Sequence, residues 1–112
     1  MNAKASLGSP LGMCGKSRKV CLDAAQKPWQ EIMQAAEDHY DRSEACTFSS
    51  FIGYEWTGAL YSGSNLHRNI IFESSNVPHQ PISFYEAPNR TELWNQLDQE
   101  CQNDCNYIVI PH

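Results

Sequence analysis

The chain has no long apolar run. The longest, Tyr107 to Ile110, falls far short of the roughly 20 residues of a membrane-crossing helix, so no membrane span is expected. Positive charge is scarce: Lys and Arg number 8 against 13 Asp and Glu, for a net charge of -5. Basic side chains gather only once, at Lys16, Arg18 and Lys19. A phosphate backbone is held by many such charges. Nucleic acid is therefore not expected as a partner, and the small cluster reads as a solvated loop. No signal-peptide pattern of basic, apolar and small residues is visible at the start. Internal repeats and low-complexity tracts are lacking. So are H-x-H, H-E-x-x-H, G-x-x-x-x-G-K-[ST] and G-x-S-x-G, which removes the standard signatures of zinc proteases, phosphate-cradling loops and serine nucleophile elbows.

What is there suits one globular domain. The length is 112 residues, with 41% hydrophobic and 11% aromatic residues, enough for a packed core and unlike a disordered or collagen-like chain. Cysteines number five. The short separations within Cys14/Cys21 and Cys101/Cys105 would permit two local disulfides in an oxidising, periplasmic or secreted setting. Buried reduced cysteines are the ordinary alternative.

Residues 1–27 are polar and aperiodic and read as an irregular arm. Pro28 stands where a helix can begin, because its missing N–H is harmless in the first turn. Trp29, Ile32, Met33, Ala36 and Tyr40 follow at helical spacing, which predicts an amphipathic helix over 28–40 whose apolar stripe is core. The aromatic and β-branched stretch 47–57 predicts a strand, and Gly53 inside it signals a bulge or a close backbone approach. A glycine- and serine-rich turn follows, then a short strand over 68–73. Prolines 78, 81 and 88 mark a connecting loop. A second helix is expected at 91–102, capped by Asn89 or Thr91, and then a buried strand, 107–110. Helix and strand alternate, so the expected class is α/β with partly parallel strands. A buried parallel strand needs neighbours on both sides, and here few are available. The chain thus reads as an internal slice of a longer protein, with Met1 not a natural start.

Three side chains near strand ends can carry chemistry: Glu55, His67 and His112. Carboxylate plus imidazole is a normal ligand set for zinc, manganese or iron. Glu55 lies in an otherwise apolar segment, where a lone carboxylate is costly unless paired. Either a metal ion or Arg68 is its partner, or the carboxylate faces solvent. His67 alone reads equally as a hydrogen-bonded surface histidine. His112 follows a proline, whose fixed backbone dihedral would aim it reproducibly. His39, on the polar side of the first helix, and His79, between two prolines, have weaker claims. Cys101 and Cys105 with His112 form half of a structural zinc pattern, without a second close pair to complete it.

The stretch FSSFIGYEWTGALYSGSNLHRNIIFESSNVPHQPISF, with ELWNQLDQEC and YIVIPH after it, resembles a family of uncharacterised bacterial proteins. That family is a domain of unknown function related to the polymerase-and-histidinol-phosphatase (PHP) hydrolases. The similarity covers about residues 28–112 and rests on GYEWT followed by NLHRN and IPH. It implies a fragment of a distorted PHP-like β/α barrel of about three strands and two helices, a partial domain over 28–112 that lacks the flanking parts of the same barrel. It implies a metal-dependent hydrolase of small-molecule phosphate esters. Glu55 looks like the family's glutamate, and His67 and His112 like the two histidines after it, holding divalent metal ions. Arg68 and Asn69 would bind substrate or buttress the loop. The opening H-x-H and closing D-x-H of PHP proteins are absent, so the chain alone is expected to be a weak or inactive catalyst. The competing readings are a cysteine-stapled binding module without catalysis and a small zinc domain built on Cys101, Cys105 and His112.

Overall fold

A computed structural model describes Cys14, residues 17–60 and residues 63–112. The elements run α1 (Lys19–His39), β1 (Ile52–Ala59), β2 (Asn65–Phe72), α2 (Arg90–Glu100) and β3 (Tyr107–Pro111). The three strands form an open sheet in the order β1-β2-β3, and both pairings are antiparallel. The expected barrel fragment with parallel strands is therefore wrong. The reason lies in the connections. A parallel crossover takes a dozen or more residues, and only 60–64 separate β1 from β2, enough for a hairpin alone. Gly63, at φ 81°, supplies the left-handed backbone in that turn. The longer β2–β3 link carries α2 and returns the chain beside β2 in the opposite sense.

Alternation along the strands sorts side chains onto two faces. Ile52, Tyr54, Trp56 and Gly58 of β1 share one face with Leu66, Arg68, Ile70 and Phe72 of β2. That face meets the core: Trp29 and Ala36 from α1, Leu93 and Leu97 from α2, and Ile82 and Ala87 from the connecting loop. Trp29 stands edge-on to Tyr54 at 5.8 Å and to Phe72 at 6.3 Å. The polar tips of the buried aromatics are satisfied. Trp29 Nε1 donates to the Pro78 carbonyl and Trp56 Nε1 to the Ala87 carbonyl, each at 3.0 Å, as buried indoles require.

Several boundaries differ from expectation. Helix α1 begins at Lys19, so residues 19–27 are helical rather than part of an arm, and Pro28 lies inside the helix. Ala24, Ala25, Gln26 and Lys27 are good helix formers, ion pairs Lys19–Asp23 and Lys27–Glu31 brace the turns, and a Cys14–Cys21 disulfide ties down the start. These features outweigh the one hydrogen bond that proline removes. Strand β1 starts five residues late, at Ile52. Asp41 captures both the backbone and the hydroxyl of Thr47 and of Ser43, and Cys46 adopts φ 42°, so that stretch folds as a loop. β3 is an edge strand with Ile108 and Ile110 exposed, not a doubly buried one. Among the described residues no helix is long and apolar enough to cross a membrane.

Candidate functional site

Among the described residues, the second face of the sheet has no helix packed on it. It carries Gly53, Glu55 and Thr57 of β1, His67, Asn69 and Ile71 of β2, and Ile108 and Ile110 of β3. His112 extends the last row, its backbone N–H donating to the His67 carbonyl at 3.2 Å.

Register brings the three predicted residues together. Thr57 pairs with His67, so Glu55, two residues earlier on the same face, lies diagonally across from the imidazole. His112 comes in from the other side of β2. Glu55 Oε1 lies 3.0 Å from His67 Nδ1 and 3.2 Å from His112 Nδ1. The ring centroids of the two histidines are 6.1 Å apart. All three side chains are partly solvent-accessible. A carboxylate oxygen can accept from two neutral Nδ1–H groups at once. That arrangement leaves both Nε2 atoms free of bonds among the described residues.

The donor set suits a cation in part. Ligands about 2.0–2.2 Å from a zinc ion stand roughly 2.9–3.4 Å from one another at octahedral to tetrahedral angles. Both Oε1–Nδ1 separations fall in that range. The two imidazole planes are tilted by 57° to one another. Among the described residues no group of three or more His, Cys, Asp or Glu side chains is closed into a metal-holding cluster. The trio is drawn together as a hydrogen-bonded cluster of one carboxylate and two imidazoles.

The other candidates separate. Asn69 stands directly opposite Glu55 on the open face. Arg68 falls on the core face by alternation, half-buried, and its guanidinium donates to the His67 carbonyl at 2.7 Å. It therefore supports the strand and makes no ion pair with Glu55. Cys101 and Cys105 form a disulfide, so their sulfurs are not free thiolates, and His112 turns to Glu55 instead. His39 bonds the Ala35 carbonyl within α1.

Thr57 was not singled out by sequence. Its Oγ1 is 3.0 Å from His67 Nδ1. The i, i+2 spacing of Glu55 and Thr57 was the available signal, because it places both on one face of any strand.

The molecule is thus a small two-layer domain, with helices on one face of an antiparallel sheet and a carboxylate–dihistidine cluster on the other. The chain belongs to DUF3604, a family of proteins of unknown function, whose model matches residues 1–112. No curated protein and no solved structure matches it.

Proposed function

We propose that Glu55, His67 and His112 hold a divalent cation (zinc, manganese or iron) and that the protein is a metal-dependent hydrolase of small-molecule phosphate esters, chemically akin to the PHP hydrolases its motifs resemble. The observation that carries this is the meeting of one carboxylate oxygen with two imidazoles, 3.0 and 3.2 Å away, one from the other arm of its own hairpin and one from the residue after β3, 57 positions on. Two histidines and a glutamate are a sufficient protein ligand set for a catalytic zinc, which keeps a further position for water or substrate. A bound cation supplies Lewis acidity and an acidified water. Glu55 neutralises part of the cation's charge. Thr57 Oγ1 contacts the same His67 Nδ1 that faces Glu55 and would give way to the cation there. Asn69, beside Glu55, is placed to donate to a phosphoryl oxygen, while Arg68 buttresses β2 from the other face.

Titration of the purified protein with Zn2+ or Co2+ tests this reading. A bound cation whose affinity drops at least about 100-fold in Glu55→Gln, His67→Ala and His112→Ala is expected, a larger loss than the 10–100-fold typical of indirect partners. Methylphosphonate should then perturb the Co2+ spectrum, and any hydrolysis of p-nitrophenyl phosphate should require the cation and Glu55. Absence of binding, or binding indifferent to all three substitutions, removes the proposal. The two disulfides favour a second reading, a stapled binding module without catalysis, which that negative result would leave standing.

A further inference from the structure

Gly53 sits in the interior of β1, and the pairing of β1 with β2 runs through it without interruption from Ile52 to Ala59. No bulge explains the glycine. A Cβ there would come within 2.8 Å of the Ile70 carbonyl oxygen, so the position is held to a residue without a side chain. The consequence lies on the open face. Glu55, Asn69 and Ile110 form one cross-strand row, and the next row is Gly53, Ile71 and Ile108. Rows on one face are about 6.5–7 Å apart. Immediately beside the carboxylate cluster, therefore, the β1 position is bare.

A groove of about 350 Å³ opens there, lined by Phe51, Ile71, Glu73, Asn106 and Ile108. Phe51 and Ile108 are more than half exposed. Phe51 is nonetheless propped by Tyr40, ring to ring at 6.0 Å and perpendicular, and Tyr40 in turn lies under the Arg42 guanidinium at 4.1 Å. The wall is therefore braced from α1's end. The volume lies within the range of small-molecule sites, about 300–1,000 Å³. Its lining is mainly apolar, and two of its residues, Ile71 and Ile108, stand in the row next to Glu55, Asn69 and Ile110.

Resting on the hydrolase reading, we propose that this groove receives an apolar alkyl or aryl group of the substrate. The site then takes a soluble amphiphilic phosphate ester: the phosphoryl group meets Glu55, His67 and His112, and the hydrocarbon part lies over Gly53 between Phe51 and Ile108. This explains together the exposed isoleucine and the position of the groove in the row next to the cluster.

Calorimetric binding of methylphosphonate and hexylphosphonate to the Zn2+-loaded protein tests it. Each buried methylene strengthens binding about fourfold, so hexylphosphonate should bind at least about tenfold tighter than methylphosphonate. Ile108→Asn should abolish that advantage while leaving Zn2+ and methylphosphonate affinity unchanged, and Phe51→Ser should do the same should the first variant misfold. Equal affinity of the two ligands, or an advantage that survives both substitutions, overturns the proposal and leaves the hydrolase reading intact. Zn2+ that fails to engage the three side chains sinks the hydrolase reading first, and this inference with it. A dimer in sedimentation that Ile108→Asn dissociates and hexylphosphonate does not would assign the face to a second copy, which also overturns it.

Discussion

Single side chains set both the geometry of the cluster and the acid sensitivity of the fold. Thr57 touches His67 Nδ1 at 3.0 Å and nothing else in the site requires it. Thr57→Val keeps the β-branched shape and removes only the hydroxyl. The hydroxyl contacts the nitrogen that the cation would take, so cation affinity should hold or rise, by up to about tenfold for one hydrogen bond no longer given up, with little change in the thermal midpoint; a titration alongside a melt checks both. Asp41 acts in a different place. Hydrogen bonds from the Ser43 and Thr47 hydroxyls, then from the backbone N–H groups of the same two residues, hold its carboxyl well below the usual carboxylate range. A lowered folded-state value means the stabilisation is complete above the unfolded value, about 3.9. It is lost as the pH falls from there through the folded value. Thermal midpoints of the native protein should therefore drop more steeply below about pH 4 than those of Asp41→Ala, and the two curves should converge in strong acid. Parallel curves would show that Asp41 does not contribute.

The strands show how far local pattern reaches. Their alternation was readable: GYEW and the apolar run in β2 mark the elements, Glu55 was marked by a charge in an apolar segment, and His67 and His112 by their places near the start of β2 and just after β3, although Glu55 proved to lie in mid-strand. The direction of the strands was also present in principle, in the shortness of 60–64, but the alternation of helix and strand pointed the other way. The start of α1 was hidden because Pro28 looks like a first-turn residue, while the disulfide and ion pairs that carry the helix past it are tertiary and side-chain effects. Alternation alone separates Arg68 from Asn69, but which of the two faces the core could be read only from the packing of the helices on the sheet, and which residues meet across strands only from register. Packing on the core face is equally a matter of register and ring position. Gly58 lies against the Trp56 ring, and a Cβ at Gly58 would overlap that ring. Trp56 is 2% exposed and its indole is fixed by the Ala87 carbonyl, so the ring cannot swing aside. Gly58→Ala should cost about 1–3 kcal/mol, the usual range for overpacking, measurable by urea unfolding. A neutral result would mean that Trp56 has another well-packed rotamer.

At the scale of the whole molecule, the cluster depends on an edge strand. Among the described residues β3 pairs with no strand but β2; it exposes Ile108 and Ile110 and is followed by the histidine that completes the trio. Its near end is anchored by the Cys101–Cys105 disulfide just after α2, by the buried Cys105 side chain, and by Tyr107, whose hydroxyl donates to Asp98 at 2.7 Å. Burial, with the neighbouring Asp98 carboxylate, pushes the Tyr107 phenol up to about 12, so this last anchor stays protonated through the neutral range. The two disulfides should therefore differ in what their removal does. Loop entropy assigns each of them only about 2 kcal/mol, because both close short loops. Replacing Cys14 and Cys21 by Ser should lower stability by about that amount and leave cation binding unchanged, since the bridge only pins the start of α1. Replacing Cys101 and Cys105 should lower stability similarly, and in addition weaken cation binding and speed amide exchange in Tyr107–Pro111, because local opening of β3 withdraws His112 from Glu55. Hydrogen exchange with a parallel metal titration separates the two effects. Equal loss of binding in both pairs of variants would show that the bridges act only through global stability, and that β3 holds its register without the staple.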